Sequence, residues 1–432
     1  MSLVSTQPEV APPPGVRDEV AQLRVFLFAL FFIFGGITSL NDVIIPKLKE
    51  LFTLSYAQAM LVQSAFFAAY LIVSLPAAAL VRRVGYMRTA IVGLLTMAAG
   101  CVVFVPASFS SLFGMFLLAI FILATGITIV QVVANPLVSM TGPPATVHSR
   151  LTFAQAFNAL GTTIFPYIGS LLILSSLQTV DPAGLAREAL DAYRETETGV
   201  IAYTYVGLAA VTLLVAGAVW ALRNRFSETR SAETAAAPGS ALRAFGLLAR
   251  PRFRFGALCI FLYVGAEVAL GSLIVNYLMQ PEVLGFDELS AGKSVPLYWG
   301  GAMIGRFIGA YLLRVRSPGK VLACAAGAAV LLLTISGQSG GALSGYSLLA
   351  VGLCNSIMFP TIFSLASEGL GPRAADGSGI ICVAIVGGAI VPLITGHAAD
   401  VMGLQAALVV PACCYAVILA FGLYARRALD AT

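Results

Sequence analysis

The chain has 432 residues, of which 59% are hydrophobic and only 10% charged, with a net charge of +5. Soluble domains carry about 25% charged residues, so this composition excludes an ordinary soluble enzyme. The positive balance does not point to a nucleic-acid partner either, because the basic residues are scattered over short segments between apolar runs.

Residues 1–24 are polar and Pro-rich, without the charged-then-apolar order of a signal peptide, and are expected to be a disordered cytoplasmic tail. Runs long and apolar enough to cross a bilayer follow at roughly 25–50, 57–81, 89–107, 110–139, 150–176 and 198–222. A basic, Ala/Ser-rich segment at 223–251 interrupts them and reads as a cytoplasmic linker. Six more runs lie at roughly 252–279, 290–313, 319–336, 344–370, 377–399 and 403–425. The expected fold is an all-α membrane protein of twelve transmembrane helices in two six-helix bundles, 25–222 and 252–427. With the N-terminus inside, 19 Lys and Arg residues fall on the cytoplasmic side and 5 outside, so both termini are expected in the cytoplasm. The acidic stretch 181–197 then lies outside and is expected to form a short amphipathic helix.

Polar side chains inside such runs are costly and tend to face water-filled paths. Asp42 lies in SLNDVIIP, beside Asn41 and before Pro46, which should bend its helix. It reads as a proton or cation site or, with Lys47 and Lys49 close by, as an aqueous boundary residue. In the fourth run Gln131 and Asn135 stand one turn apart on one face, able to bond a polyol or another helix. In the fifth, Thr152, Gln155, Asn158 and Thr162 form a polar stripe, with Gly161 and Gly169 permitting close backbone approach. In the seventh, Glu267 could take a sugar hydroxyl or pair with Arg306 of the eighth, and Asn276 lies toward the outer end. Trp299, in YWGG, offers a flat ring that stacks on a pyranose or packs in a core. Asn355 precedes Pro360 in the tenth run.

The seven Cys sit mostly within apolar runs and read as packing residues. His148, placed in a cytoplasmic loop, and His397 share no metal-ligand spacing with any Cys or Asp. There is no Walker loop, dinucleotide fingerprint or nucleophile elbow, which favours a secondary carrier over an ATP-driven pump or an enzyme.

These residues carry a resemblance. FFIFGGITSLNDVIIP, IVQVVANPLV and RLTFAQAFNALGTTIFPYIG resemble the fucose:proton symporter branch of the major facilitator superfamily. YVGAEVALGSLIVNYL, YWGGAMIGRFIGA, NSIMFPTIFSLASEGLG and VAIVGGAIVPLITGHAAD resemble its glucose/galactose porter members, over about residues 25 to 425 in all. The resemblance implies a multi-pass inner-membrane protein, expected to be a monomer, that moves a hexose by alternating access. Its partners are the sugar and the lipid bilayer, with no cofactor beyond the coupling ion, proton favoured over sodium. It places the first-helix acid at Asp42 and cavity amides at Gln155 and Asn158. The branch's second acid, in the fourth helix, aligns with Gln131, and an amide cannot carry a proton. Coupling then rests on Asp42 alone, on Asp42 with Glu267, or on a sodium ion held by Asp42 and the neighbouring amides Asn41 and Gln131. VRRVGYMRT is a degenerate form of the superfamily's loop signature, and its arginines are expected to brace the cytoplasmic gate. A multidrug exporter of the same fold is the alternative, against which the amide-rich fourth and fifth helices count.

Overall fold

The computed structural model describes residues 14–52, 56–110, 112–169, 187–223 and 241–426, with helices joined by short connections and no strand among them. The first set comprises α1 (Pro14–Leu51), α2 (Tyr56–Val84), α3 (Tyr86–Ser110), α4 (Phe113–Met140), α5 (Val147–Gly169) and α6 (Arg187–Leu222). The second comprises α7 (Pro251–Leu278), α8 (Glu288–Val315), α9 (Pro318–Gln338), α10 (Gly341–Asn355), α11 (Met358–Ser367), α12 (Ala374–Ala384), α13 (Gly387–Met402), α14 (Leu404–Ala407) and α15 (Val409–Ala425).

Two expectations are corrected. Helix α1 starts at Pro14, inside the segment expected to be disordered. Proline presets φ for a first helical turn, and Val16, Val20 and Leu23 continue the helical period. Of the stretch 181–197, residues 181–186 lie outside the described residues and 187–197 are not a separate short helix but the beginning of α6. The linker carries a 3-10 helix, Ala241–Ala249, with Ala244 and Leu247 buried.

The predicted tenth and eleventh helices are each broken in two. Pro360 has no N–H to give the Ser356 carbonyl four residues back, and the helix stops at Asn355 before restarting at Met358. Between α12 and α13 the chain tightens into three-residue bonds, Ile385 N to Cys382 O at 3.2 Å and Val386 N to Val383 O at 3.1 Å.

Ten stretches of the described chain are long and apolar enough to cross a membrane. Helices α5 and α8 fall outside that group, diluted by the amides of the one and by Lys293, Arg306 and Arg314 of the other. These two pack against each other. These two helices thus lie where the two sets meet, the place a polar path through a bilayer has to occupy.

Within the first set α1 packs on α5, and α3 on both α4 and α6; within the second α9 packs on α15 and α7 on α13. The sets meet through α5 with α8 and α11, and through α12 with α2 and α4. Close approach depends on glycine at two places that set the site. A Cβ on Gly35 of α1 would strike Asn158 of α5, and one on Gly352 of α10 would strike the Tyr298 carbonyl of α8. The start of α1, the ends of α2 and α4 and the starts of α5 and α7 share one face, called the terminal end below.

Candidate functional site

The polar residues of α2, α4 and α5 form one chain of hydrogen bonds. Tyr70 Oη donates to Gln131 Oε1 at 2.8 Å. One turn on, Asn135 Nδ2 donates to the Gln131 carbonyl at 3.3 Å, and Gln155 Nε2 donates to Asn135 Oδ1 at 3.4 Å. Gln131, Asn135 and Gln155 are all buried, and Asn158 donates to the Phe31 carbonyl at 3.3 Å. A buried amide costs several kcal/mol unless bonded, and mutual pairing of donor and acceptor ends removes most of that cost. Four of the residues expected to bind substrate are therefore neighbours, engaged with protein partners.

A second cluster gathers on α7, α8 and α10. Tyr263 Oη lies 2.8 Å from Glu267 Oε1 and 3.1 Å from the Asn355 carbonyl. Asn355 Nδ2 donates to Tyr298 Oη at 2.7 Å. Of the two alternatives for Glu267, the ion pair with Arg306 does not form among the described residues. Arg306 instead gives Nε to the Ser356 carbonyl and Nη1 to the Gln155 carbonyl, both at 3.3 Å. Ser356 O is the acceptor that Pro360 leaves unclaimed, so the helix break supplies the arginine with its ligand. Gln155 belongs to the other set. Arg306 thus joins the two clusters into one polar seam between the sets.

Trp299 is 42% exposed. Its ring rests against Gly271 of α7 and meets Tyr298 edge-on, centroids 5.1 Å apart. Asn276 is exposed and lies nine residues beyond Glu267, about two and a half turns, on the opposite side of α7. The structure does not bring it to the seam. Asn41 and Asp42 belong to α1, but their side chains lie outside the described residues.

The terminal end is held by charge. Arg82 of α2 bonds Asp376 of α12, which also meets Arg373 at 3.6 Å. His148 is not in a loop but in the first turn of α5, where it is buried. Its Nδ1 lies 2.6 Å from Ser364 Oγ and its Nε2 lies 3.2 Å from Glu368 Oε1. Ser364 Oγ also lies 2.7 Å from the Pro360 carbonyl, and the direction of its bond to His148 follows the imidazole tautomer. Arg252 of α7 bonds the same Glu368 carboxylate. Ser149 Oγ donates to the Ala310 carbonyl at 2.6 Å. Every one of these joints except Arg373–Asp376 and Arg252–Glu368 crosses between the sets.

Residues 27–384 match the Major Facilitator Superfamily. The chain belongs to that superfamily. It is 46% identical over 403 residues to the "Glucose/galactose transporter" of Brucella abortus biovar 1 (strain 9-941), covering 93% of each chain. It is 36% identical over 408 residues to the "L-fucose-proton symporter" of Escherichia coli (strain K12), covering 91% of each. Among solved structures, the major facilitator transporter FucP in the outward conformation superposes with a TM-score of 0.86 at 32% identity, over 95% of this chain and 100% of that one. The superfamily match ends at residue 384, close to the break between α12 and α13, whereas both relatives align over nearly the whole chain.

Proposed function

We propose that this protein is a proton-coupled hexose symporter of the bacterial inner membrane that works by alternating access. The observation that carries the reading is the likeness to the Brucella glucose/galactose transporter over 93% of both chains. The polar seam supports it, because a hexose presents hydroxyls all round and needs paired donors and acceptors from both sides. Twelve spans in two bundles, 25–222 and 252–427, joined by 223–251, follow if α5 and α8 are counted with the ten apolar stretches and each broken pair spans once. The terminal end is cytoplasmic in this reading, as its arginines suggest.

In the proposed cycle Asp42 carries the coupling proton. Gln131, held by Tyr70, offers no second acid beside it. Gln131, Asn135, Gln155 and Asn158 exchange bonds with one another for bonds to sugar hydroxyls. Glu267 and Asn355 take further hydroxyls, and Trp299 stacks on the ring. The ion-paired terminal end keeps the cytoplasmic side shut while sugar enters from outside, in keeping with the likeness to a transporter solved in the outward conformation.

The test is uptake of labelled glucose and galactose into proteoliposomes under imposed proton and sodium gradients separately. Accumulation under the proton gradient alone is expected; accumulation that needs sodium replaces the proton with a sodium ion held near Asp42. Asp42→Asn is expected to abolish accumulation while sparing sugar exchange. Normal concentrative uptake by that variant removes Asp42 from coupling.

A further inference from the structure

A cavity of about 440 Å³ opens at the terminal end between α1, α5, α8 and the last turn of α4. Its volume is that of a site for a sizeable ligand group. Three arginines from three helices, Arg24, Arg150 and Arg314, line it. Among the described residues none of the three is ion-paired, although Arg82, Arg252 and Arg373 at this end each meet a carboxylate.

Their donors are not equally free. Arg150 spends its guanidinium on the α4–α5 connection, reaching the carbonyls of Val138, Ser139, Gly142 and Pro143 and the Thr146 hydroxyl. It contributes charge. Arg24 gives Nε and Nη2 to the Thr141 carbonyl at 3.2 and 2.6 Å, which leaves Nη1 and one Nη2 hydrogen. Arg314 is exposed and makes no hydrogen bond among the described residues. Two guanidinia thus retain open donors beside a third that adds field.

Behind the arginines lies a wall of phenyl rings. Phe28 and Phe153 meet edge-on at 5.2 Å, and Phe153 and Phe307 at 6.1 Å. Phe153 and Phe307 remain 38% and 43% exposed. A free phosphate would use the guanidinia and leave the rings bare. An amphiphile with an anionic head and acyl chains uses both. Basic pockets between helices at the level of the headgroups are where acidic lipids bind.

We infer that this cavity binds the headgroup of an acidic phospholipid, with its phosphate on Arg24 and Arg314 and its acyl chain along Phe153 and Phe307. The lipid would touch α5 and α8 at once, beside the Ser149–Ala310 joint, and so would hold the terminal end closed.

The experiment titrates the purified full chain in detergent with dioleoyl phosphatidylglycerol and, separately, dioleoyl phosphatidylcholine, counting bound lipid by native mass spectrometry. Phosphatidylglycerol is expected to bind more tightly. Arg314→Glu should weaken that binding by about fivefold or more, as loss of one arginine near an anionic surface implies. Arg24→Gln should act in the same direction. Arg316→Glu, which makes the same change in net charge at an exposed residue outside the cavity, should stay within about twofold of the parent chain. Equal binding of the two lipids, or equal weakening by the changes at 314 and 316, overturns the assignment. Displacement of phosphatidylglycerol by equimolar glycerol phosphate also overturns it, since the site would then take a free anion.

Discussion

The two halves of the seam solve the same burial problem with different chemistry. The α2–α4–α5 cluster is neutral, with three amides and a tyrosine closing on one another. The α7–α8–α10 cluster holds a carboxylate and a guanidinium that do not pair, each satisfied by a hydroxyl or by backbone carbonyls. A neutral network rearranges without moving charge and suits a ligand of hydroxyls. A network with separated charges responds to any charge that enters or leaves. Among the described residues of the seam, charge is therefore concentrated in the second half.

The largest way to break this contrast is Arg306→Ala. Arg306 is half-buried, and losing a hydrogen bond from a charged donor costs about 1.5–3 kcal/mol, so proteoliposome uptake should fall by about ten- to a hundredfold. Arg306→Lys should recover only part of it, since one ammonium cannot span two carbonyls as a planar fork does. Near-normal uptake by the Ala variant would mean that the clusters work independently. Next comes Asn135→Leu, which leaves Gln155 without its buried acceptor at a cost of about 1–3 kcal/mol. Its expected signature is a melting temperature lower by several degrees, and an unchanged melting temperature would show that the neutral cluster is not self-supporting. Glu267→Gln should weaken sugar binding by about tenfold, the worth of one charge-assisted hydrogen bond, while the cation dependence stays as it was. Unchanged affinity in a binding assay takes Glu267 out of the sugar site. The smallest effect belongs to Asp376→Asn, which loosens both Arg82 and Arg373. Partly exposed ion pairs contribute about 0–1 kcal/mol, so a cysteine placed at Ser149 should be alkylated only about two- to fivefold faster. No change in labelling would leave the terminal end to packing alone.

How much of this was legible beforehand differs by kind of interaction. Hydropathy disclosed the spans because backbone burial in lipid demands long apolar helices. The grouping of Gln131, Asn135, Gln155 and Asn158 could be read because their spacing repeats with the helical turn. Tyr70, Tyr263 and Tyr298 were missed, since an aromatic residue in an apolar run looks like core until its hydroxyl is followed. The joints Arg82–Asp376 and His148–Glu368 link residues hundreds of positions apart, and no local period encodes them. Their one advance sign was opposite charge at helix ends on the same membrane face. Charge alone leaves open a pairing of Arg306 with Glu267. The structure gives it carbonyls instead, because a proline four residues after Ser356 leaves an acceptor that hydropathy does not show.

Tyr263 has one hydroxyl proton and two acceptors within reach, the Glu267 carboxylate and the Asn355 carbonyl. With Glu267 ionised, the proton is drawn to the carboxylate and the carbonyl beside the α10–α11 break goes without. With Glu267 protonated, the acid can donate to the phenol oxygen, and the phenol turns its own proton to Asn355 O. The occupancy of one carboxyl is thereby written as the direction of a bond to the backbone at a helix break, so α7 can report a proton to α10 with no side chain leaving its place.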